Sequence, residues 1–430
     1  MFDGLTTEAL AARERELAAR FSELAGAGLN LDLTRGKPSP QQVALSDPID
    51  LTLGGDYRLE DGTDVRNYGG LTGIPEARRL GAEMLGVSPD LVIAGGNSSL
   101  TFMYQYVLNA WLNGPLGPGS AWREEGRPLR FLCVVPGYDR HFTITQSLGF
   151  ELVSVPIRDD GPDMDMVEGL VAEDAGIKGI WCVPKYSNPT GCTYSDAVLD
   201  RFAQLARRAG PHFRILWDNA YAVHDLDDNP PVLANLMERA QDAGTEDNVV
   251  MFTSTSKITR AGAGISFIAM SPANRAPFTK ALGTQTIGPD KVNQLRHVRY
   301  LGNLDGIRGL MRRHATIVRP KFERVLQHLD DGLRADGVGA WSRPRGGYFL
   351  SFEGPPGTAS AVVDLAGQAG VKLTPAGATF PYGRDPNDTN IRLAPTYPSM
   401  EELDQAMPIF VTAVALIAAR QRLEVGAARA

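Results

Sequence analysis

Short apolar runs alternate with amphipathic stretches through the middle of this 430-residue chain. Seven of the runs are apolar on both faces, which is typical of strands buried inside a sheet. They occupy residues 91–95, 130–136, 150–156, 178–184, 213–218, 248–254 and 265–270. Helical patterns separate several of them, as at 98–112 and 195–209. The pattern predicts an α/β fold, a mainly parallel seven-stranded sheet with helices on both faces.

The two ends of the chain follow a different pattern. A helix is predicted over about 6–25, and a stretch with Pro38 and Pro40 follows it. After residue 300 comes a long Arg-rich helical stretch, in which we expect Pro320 to cause a kink or a division. Strand-like and helical segments then indicate a smaller α+β unit, at 346–352, 358–369 and 390–396. We expect three parts: an N-terminal segment belonging to the small domain (1–50), a large domain (51–300) and a small C-terminal domain (301–430).

Composition narrows the possible functions. The chain has 43 Lys and Arg against 50 Asp and Glu, a net charge of −7, which argues against a nucleic-acid partner. No apolar run approaches membrane-spanning length and the first residues do not form a secretory signal, so we expect a cytoplasmic protein without a membrane partner. The three cysteines and six histidines show no metal-ligand spacing, so we expect no metal.

Polar residues follow four of the predicted strands. Ligands bind beyond the carboxyl ends of the strands in an open parallel sheet, so these residues are site candidates. Asp218 ends one strand, with Tyr221 three residues on, and Asn188 lies in an NPTG turn. Lys257 follows the strand at 248–254, where partial burial favours its neutral, nucleophilic form. The residues at 95–99, Gly-Gly-Asn-Ser-Ser, open a helix, whose N–H groups can hold a phosphate.

Each of these features also has an ordinary structural explanation. Asp218 can cap a following helix, and the residues of the NPTG sequence all favour turns. Lys257 can be a surface lysine, and the serines at 98 and 99 can cap their helix. The occurrence of all four features at successive strand ends favours a common site.

The NPTG, DNAY and SxSK motifs together resemble those of the class I aminotransferases of fold type I, and most closely a bacterial group of aspartate aminotransferases. The resemblance extends from LDLTRGKPSP to NIRLAPT, nearly the whole chain. It implies that the large domain binds pyridoxal 5′-phosphate. It also implies transfer of an amino group between a dicarboxylic amino acid, aspartate or glutamate, and a 2-oxo acid, 2-oxoglutarate or oxaloacetate. The family builds its site across the interface of a homodimer.

The resemblance also assigns roles around the cofactor ring. Lys257 would form the internal aldimine and then move the proton between substrate and cofactor. Asp218 would pair with the pyridine nitrogen and keep it protonated. Tyr221 and Asn188 would hydrogen-bond the phenolic oxygen, and Tyr138 would stack on the ring. The catalytic residues implied are thus Lys257, Asp218 and Tyr221.

The same resemblance places the phosphate and the substrate. Ser98, Ser99 and Ser254 would hold the phosphate, together with Tyr68 from the neighbouring subunit. Arg392, in NIRLAP, would bind the substrate α-carboxylate as a bidentate fork, beside Asn188. Gly36 would belong to the N-terminal segment that covers the substrate.

Two features depart from the family pattern. The arginine that usually contacts the phosphate, eight residues after the lysine, is Ile265 here, and Arg260 is the nearest substitute. The arginine for the distal carboxylate has no clear counterpart. Five cations are candidates for that second role: Arg35, Lys37, Arg140, Lys291 and Arg296.

Three alternatives remain open at this point. One is a related pyridoxal-phosphate enzyme, an aromatic amino acid or kynurenine aminotransferase or a C–S lyase. Another is a hydrolase with a Ser-Lys pair formed by Ser256 and Lys257. The last is a non-catalytic effector-binding domain, although the chain has no appended helix-turn-helix.

Overall fold

The computed structural model describes residues 1–2, 4–34 and 36–429, with no account of the side chains of residues 428 and 429. Arg35, one of the five cations considered for the distal carboxylate, lies outside the described residues. Over the described residues the chain forms thirteen strands: β1 (Leu31–Asp32), β2 (Val92–Ala94), β3 (Arg130–Val135), β4 (Glu151–Arg158), β5 (Gly161–Pro162), β6 (Ile177–Cys182), β7 (Arg214–Asp218), β8 (Val249–Ser254), β9 (Ser266–Met270), β10 (Ala340–Trp341), β11 (Leu350–Glu353), β12 (Val371–Lys372) and β13 (Asn390–Leu393).

The same residues form thirteen α-helices: α1 (Thr7–Ala25), α2 (Pro40–Ala44), α3 (Pro75–Leu85), α4 (Ser99–Leu112), α5 (Asp139–Ser147), α6 (Met164–Glu173), α7 (Asp196–Leu205), α8 (Leu236–Ala243), α9 (Pro272–Leu282), α10 (Lys291–Leu301), α11 (Leu304–Leu333), α12 (Ala359–Gln368) and α13 (Met400–Arg429). Side chains cap several of these helices. Thr6 accepts a hydrogen bond from the amide of Ala9 at the start of α1, and Ser195 does the same for Val198 at the start of α7.

The central sheet has the order β2-β9-β8-β7-β6-β3-β4-β5. Strands β3, β4, β6, β7 and β8 run parallel, and β9 is antiparallel to both of its neighbours. All seven predicted runs form strands of this sheet, which confirms the predicted α/β class. The eighth strand is β5, a two-residue antiparallel edge too short to give an apolar run.

Both faces of the sheet are buried under helices. Leu216 and Trp217 are adjacent in β7 and fully buried, yet they belong to different apolar clusters. Successive side chains of a strand point to opposite faces, so each cluster covers one face of the sheet. This double burial explains why the strands read as continuous apolar runs.

The two ends of the chain pack together in a separate apolar cluster. Strand β1 pairs in parallel with β12, and Leu10 and Leu17 of α1 lie in the same cluster as residues of α13. Strands β10, β11 and β13 form a small antiparallel sheet beside them. We keep the division into residues 1–50, 51–300 and 301–430 as a proposal, in which the first and third parts form one domain.

Helix α11 joins the large and small units without a break. Its first half places Ile307 in the core of the large unit, and its second half places Leu329 in the core of the small one. Pro320 therefore does not divide the helix, and a kink at this residue stays a prediction. Proline removes one backbone hydrogen bond, but Val318 and Phe322 on either side are buried and hold the helix in place.

Helix α13 is long and apolar enough over Met400–Ala427 to span a membrane by length and composition alone. In the structure 72% of its most apolar window is buried inside the protein. Leu403, Phe410 and Leu416 lie in the core of the small unit. The apolar composition of the helix is therefore accounted for by burial against α1, α11 and α12.

Candidate active site

Asp218 is the last residue of β7 and is only 3% exposed. Its Oδ2 lies 3.0 Å from Nε2 of His141, whereas its Oδ1 is buried with no hydrogen-bond partner among the described residues. The described residues directly after Asp218 form a turn and no helix begins before Leu236, so the alternative that Asp218 caps a helix is wrong. A buried carboxylate oxygen without a partner is costly, and it is suited to a hydrogen-bond donor supplied by a ligand.

His141 is a site residue that the sequence analysis missed. It lies in the first turn of α5, and its ring stacks on Trp181 with centroids 4.4 Å apart and planes 9° from parallel. This stacking sets the direction in which Nε2 meets Asp218. The sequence signal for this role is the spacing of His141 three residues after Tyr138, which immediately precedes α5. A lack of metal-ligand spacing does not exclude such a role for a histidine.

Lys257 follows β8 and is partly buried. Its Nζ lies 4.9 Å from the centroid of the Tyr221 ring. Burial lowers the pKa of the Lys257 ammonium, and the negative charge of Asp218 partly opposes that shift. The preceding Ser256 donates its hydroxyl hydrogen to the carbonyl of Asn97 at 2.6 Å, so it is not paired with Lys257 as the hydrolase alternative requires.

Two tyrosines, Tyr138 and Tyr221, lie close to Asp218 and Lys257. Burial keeps both hydroxyls in the neutral form, which can donate a hydrogen bond. Burial raises the pKa of Tyr138 to about 12, and burial also raises the pKa of Tyr221. The Tyr138 ring lies edge-on to that of His141, at 5.0 Å between centroids. The negative charge of Asp218 acts on both hydroxyls. The structure therefore brings Tyr138, Tyr221, Asp218 and Lys257 together.

Arg392 belongs to the small unit, and its side chain lies beside Asn188 and Asp139 of the large unit. It lies in β13, and its Nη1 is 3.4 Å from Oδ1 of Asn188 and 3.6 Å from Oδ1 of Asp139. Its guanidinium carbon is 4.8 Å from the centroid of the Phe349 ring, and its Nε has no partner among the described residues. A cation that is only 9% exposed and incompletely paired is suited to a carboxylate ligand.

Gly36 lies on the other side of Phe349. A Cβ built on Gly36 would come within 2.2 Å of the Phe349 ring, so only glycine allows the N-terminal segment this close approach. The segment that begins at Gly36 therefore packs directly on the ring that supports Arg392.

The serines assigned to the phosphate lie at one edge of the sheet. Ser98 precedes α4 and makes no capping hydrogen bond with its side chain, so the capping alternative is not realised. The loop before it bonds to β9, where the amide of Ser266 donates to Gly96 at 2.7 Å, and Ser266 in turn is the register partner of Ser254. Ser98, Ser99 and Ser254 are all partly exposed.

Comparison with known proteins identifies the family of this chain. The family model for aspartate amino-transferases matches residues 5–425. The aspartate aminotransferase of Corynebacterium glutamicum is 47% identical over 94% of this chain and 93% of its own length. The chain belongs to the aspartate aminotransferase family. This confirms the family and the aminotransferase function that the motifs predicted.

Solved structures of aminotransferases have the same fold. A crystal structure of an aspartate transaminase from Corynebacterium glutamicum superposes with a TM-score of 0.93 at 46% identity, and the match covers 98% of each chain. The α-aminoadipate aminotransferase of Thermus thermophilus, at 21% identity and a TM-score of 0.74 over 94% of this chain and 98% of its own, shares the fold.

The position that the family resemblance assigns to a phosphate arginine is Ile265 in this member of the aspartate aminotransferase family. Ile265 at that position is buried in the core. Arg260, the nearest substitute, donates from Nη1 to both carboxylate oxygens of Asp50, at 2.9 and 2.8 Å, and lies 3.5 Å from Asp47. Arg260 as a phosphate ligand stays a prediction, and Asp50 competes for its charge.

The remaining cations considered for the distal carboxylate also have partners. Lys37 lies 3.8 Å from the centroid of the Tyr397 ring, and Lys291 donates to the carbonyl of Tyr68 at 3.2 Å. Arg140 and Arg296 lie 3.9 and 4.0 Å from Asp139 and Asp50. These contacts do not single out one of the cations as the partner of the distal carboxylate.

Among the described residues, no group of three or more acidic, His or Cys side chains is placed to hold a metal ion.

Proposed function

We propose that this chain binds pyridoxal 5′-phosphate and transfers an amino group between aspartate or glutamate and the corresponding 2-oxo acids. The observation that carries the proposal is the buried Oδ1 of Asp218, which has no hydrogen-bond partner among the described residues. Asp218 ends β7, and Lys257, whose pKa it influences, follows the neighbouring strand β8. The donor set fits the cofactor, since it offers an anion for the ring nitrogen, an amine for the aldehyde and hydroxyls for the phosphate. When bound, pyridoxal phosphate supplies an electron-accepting heterocycle.

The residues at the ring end then have distinct tasks. Asp218, whose Oδ2 is hydrogen-bonded to His141, would hold the ring nitrogen and keep a proton on it. Lys257 moves the proton at the substrate Cα, and its lowered pKa makes the neutral amine available at a lower pH than for an exposed lysine. Tyr221 and Asn188 would donate hydrogen bonds to the phenolic oxygen, and Tyr138 would stack on the ring.

The substrate is held on the other side by Arg392. Its guanidinium is oriented by Phe349 and by Asn188, and its Nε, which has no partner in the described ranges, is left to donate to the α-carboxylate. The covering segment from Gly36 excludes water from this contact. Aspartate is the proposed donor because the aspartate aminotransferase of Corynebacterium glutamicum matches nearly the whole chain at 47% identity.

The proposed assembly is a cytoplasmic homodimer with a shared site. Tyr68 is 83% exposed in the single chain, although the family resemblance assigns it to the phosphate of the neighbouring subunit. An exposed aromatic side chain at a predicted interface supports this assignment. Light scattering of the purified protein should give twice the 46.4 kDa chain mass.

The proposal is tested by an absorbance spectrum of the purified, reconstituted protein and of Lys257→Ala. We expect a band in the near-ultraviolet to visible region that shifts when aspartate is added and is lost in the variant. A colourless wild-type protein would contradict the proposal. Turnover of aspartate, phenylalanine and kynurenine then tests the substrate, and the specificity proposal fails if aspartate is the poorest donor.

A further inference from the structure

The hydroxyl of Tyr348 joins three separate regions of the chain. It lies 3.2 Å from the backbone carbonyl of Lys257 and 3.0 Å from Nε2 of Gln42. A carbonyl only accepts hydrogen bonds, so the single hydroxyl hydrogen is committed to Lys257, and the Gln42 amide is the donor to the tyrosine oxygen. Tyr348 is 2% exposed, so water does not compete for these bonds.

Gln42 is fully committed to this arrangement. Its Oε1 accepts from the backbone amide of Ser39, and its Nε2 also lies 3.1 Å from Nδ1 of His314. Burial lowers the pKa of His314 to about 4, so at neutral pH the ring is uncharged and Nδ1 can accept. Gln42 belongs to α2, which Ser39 caps, and it is completely buried.

Two residues of the covering segment, taken as residues 36–46, therefore meet adjacent residues of the small unit. Gly36 packs against the ring of Phe349, and Gln42 bonds to the hydroxyl of Tyr348. Phe349 supports Arg392, whereas Tyr348 bonds to Lys257. The position of this segment is thus linked to both the substrate-binding and the cofactor-binding side chains.

We propose that Tyr348 is a positioning residue, whose hydroxyl fixes the backbone of Lys257 and, through Gln42, couples that lysine to the seating of residues 36–46. The inference rests on the proposed function. With the bond in place the lysine nitrogen is held in its buried position. Without it the backbone loosens, water enters, and the protonated form of that nitrogen is better hydrated.

Replacing Tyr348 by phenylalanine isolates the hydroxyl. The ring of Tyr348 lies 6.0 Å from that of Tyr221 and 5.5 Å from that of His224, and phenylalanine keeps both contacts. The variant removes the hydrogen bond from the Tyr348 hydroxyl to the Lys257 carbonyl and leaves one Gln42 N–H without its acceptor. A matched control is Tyr106→Phe, since Tyr106 is equally buried and its hydroxyl bonds to Asn274 in a different core.

The test uses the holoenzyme of the wild type, Tyr348→Phe, Gln42→Met and Tyr106→Phe. The pH midpoint of the visible band is measured by absorbance titration, and amide exchange of residues 40–46 is followed by mass spectrometry. We expect the midpoint of Tyr348→Phe to rise by about half a pH unit or more. Gln42→Met should shift it in the same direction by less, and both should speed exchange in residues 40–46 by about tenfold.

The control separates positioning from a general loss of stability. Tyr106→Phe should lower the melting temperature and leave the midpoint unchanged. An unshifted midpoint in Tyr348→Phe, or an equal shift in Tyr106→Phe, would overturn the inference. If Tyr348→Phe does not fold, Gln42→Met decides by the same criteria. A wild type without a visible band overturns the proposed function as well, whereas a wild type with the band and an unshifted Tyr348→Phe overturns this inference alone.

Discussion

The two ends of the proposed cofactor site are built differently. At the ring end, Asp218 is buried, with His141 bonded to one oxygen and no partner for the other in the part of the chain that the structure describes. At the phosphate end, Ser98 and Ser254 are partly exposed, and the nearby Arg260 is already paired with Asp50. The ring end is therefore arranged before a ligand binds, whereas the phosphate end is open.

This difference indicates which end of the site contributes more to binding and catalysis. Buried, pre-oriented charges act strongly because water does not screen them, and exposed contacts are worth little. The ring end should decide catalysis, and the phosphate end should adjust affinity. An open phosphate end also leaves space for a side chain from a second subunit, such as the proposed Tyr68.

The largest effect is expected at the ring end, from Asp218→Asn. The amide cannot keep a proton on the ring nitrogen, so kcat should fall by about 10²–10³-fold. Steady-state transamination of aspartate measures it. The matched control is Asp174→Asn, because Asp174 pairs with Arg130 at the opposite ends of the strands. A fall of similar size in the control would contradict the special role of Asp218.

The next effect is expected from Arg392→Lys. Lysine carries the charge but not the planar fork, and it loses the stacking on Phe349. We expect kcat/KM for aspartate to fall by about 30-fold or more, mainly through KM. The visible band of the cofactor should be unchanged in this variant. A normal KM would show that another cation binds the α-carboxylate.

A smaller effect is expected at the phosphate end, from Arg260. Its pair with Asp50 is partly exposed, with the two side chains 24% and 54% accessible. Arg260→Gln should raise the cofactor Kd by about threefold to tenfold, less at high salt, and Asp50→Asn should lower it by releasing the arginine. Equilibrium dialysis of both variants measures this. Unchanged affinity in both would exclude Arg260 as the substitute for the missing arginine.

The last effect is on stability rather than on catalysis or cofactor binding. His297 is 1% exposed, bonds to Thr259, and burial lowers its pKa to about 4. The unfolded chain, with an ordinary histidine pKa of about 6.5, binds this proton more readily, so stability should decline as pH falls from 6.5 to 4. His297 alone should account for a fall in the free energy of unfolding on the order of 3 kcal/mol over this pH range. Urea unfolding of His297→Gln should show a flatter decline, and an equally steep one contradicts this.

The sequence allowed prediction of the fold because doubly buried strands leave continuous apolar runs. Every such run forms a strand of the central sheet. Strand β5 was not predicted, because two residues are too few to show a hydrophobic pattern. The continuity of α11 through Pro320 was not predictable from local propensity. Burial of Val318 and Phe322 on both sides decides it, and that depends on the packing of two distant units.

The candidate site was predictable where a motif follows a strand, as for Lys257 and Asp218. His141 and Gln42 were missed because their significance comes from contacts across the fold. His141 meets Asp218 from 77 positions away in the chain, and Gln42 meets Tyr348 from 306 positions away. A lone histidine or glutamine in a helical stretch gives no sign of such a partner.

A crystal structure of the reconstituted holoenzyme tests the central claim most directly. The account predicts continuous density between the Lys257 Nζ and the cofactor, with the ring nitrogen within hydrogen-bond distance of Asp218 Oδ1. His141 should remain on Oδ2. A cofactor bound elsewhere, or a ring nitrogen facing solvent while Asp218 Oδ1 stays without a partner, would contradict it.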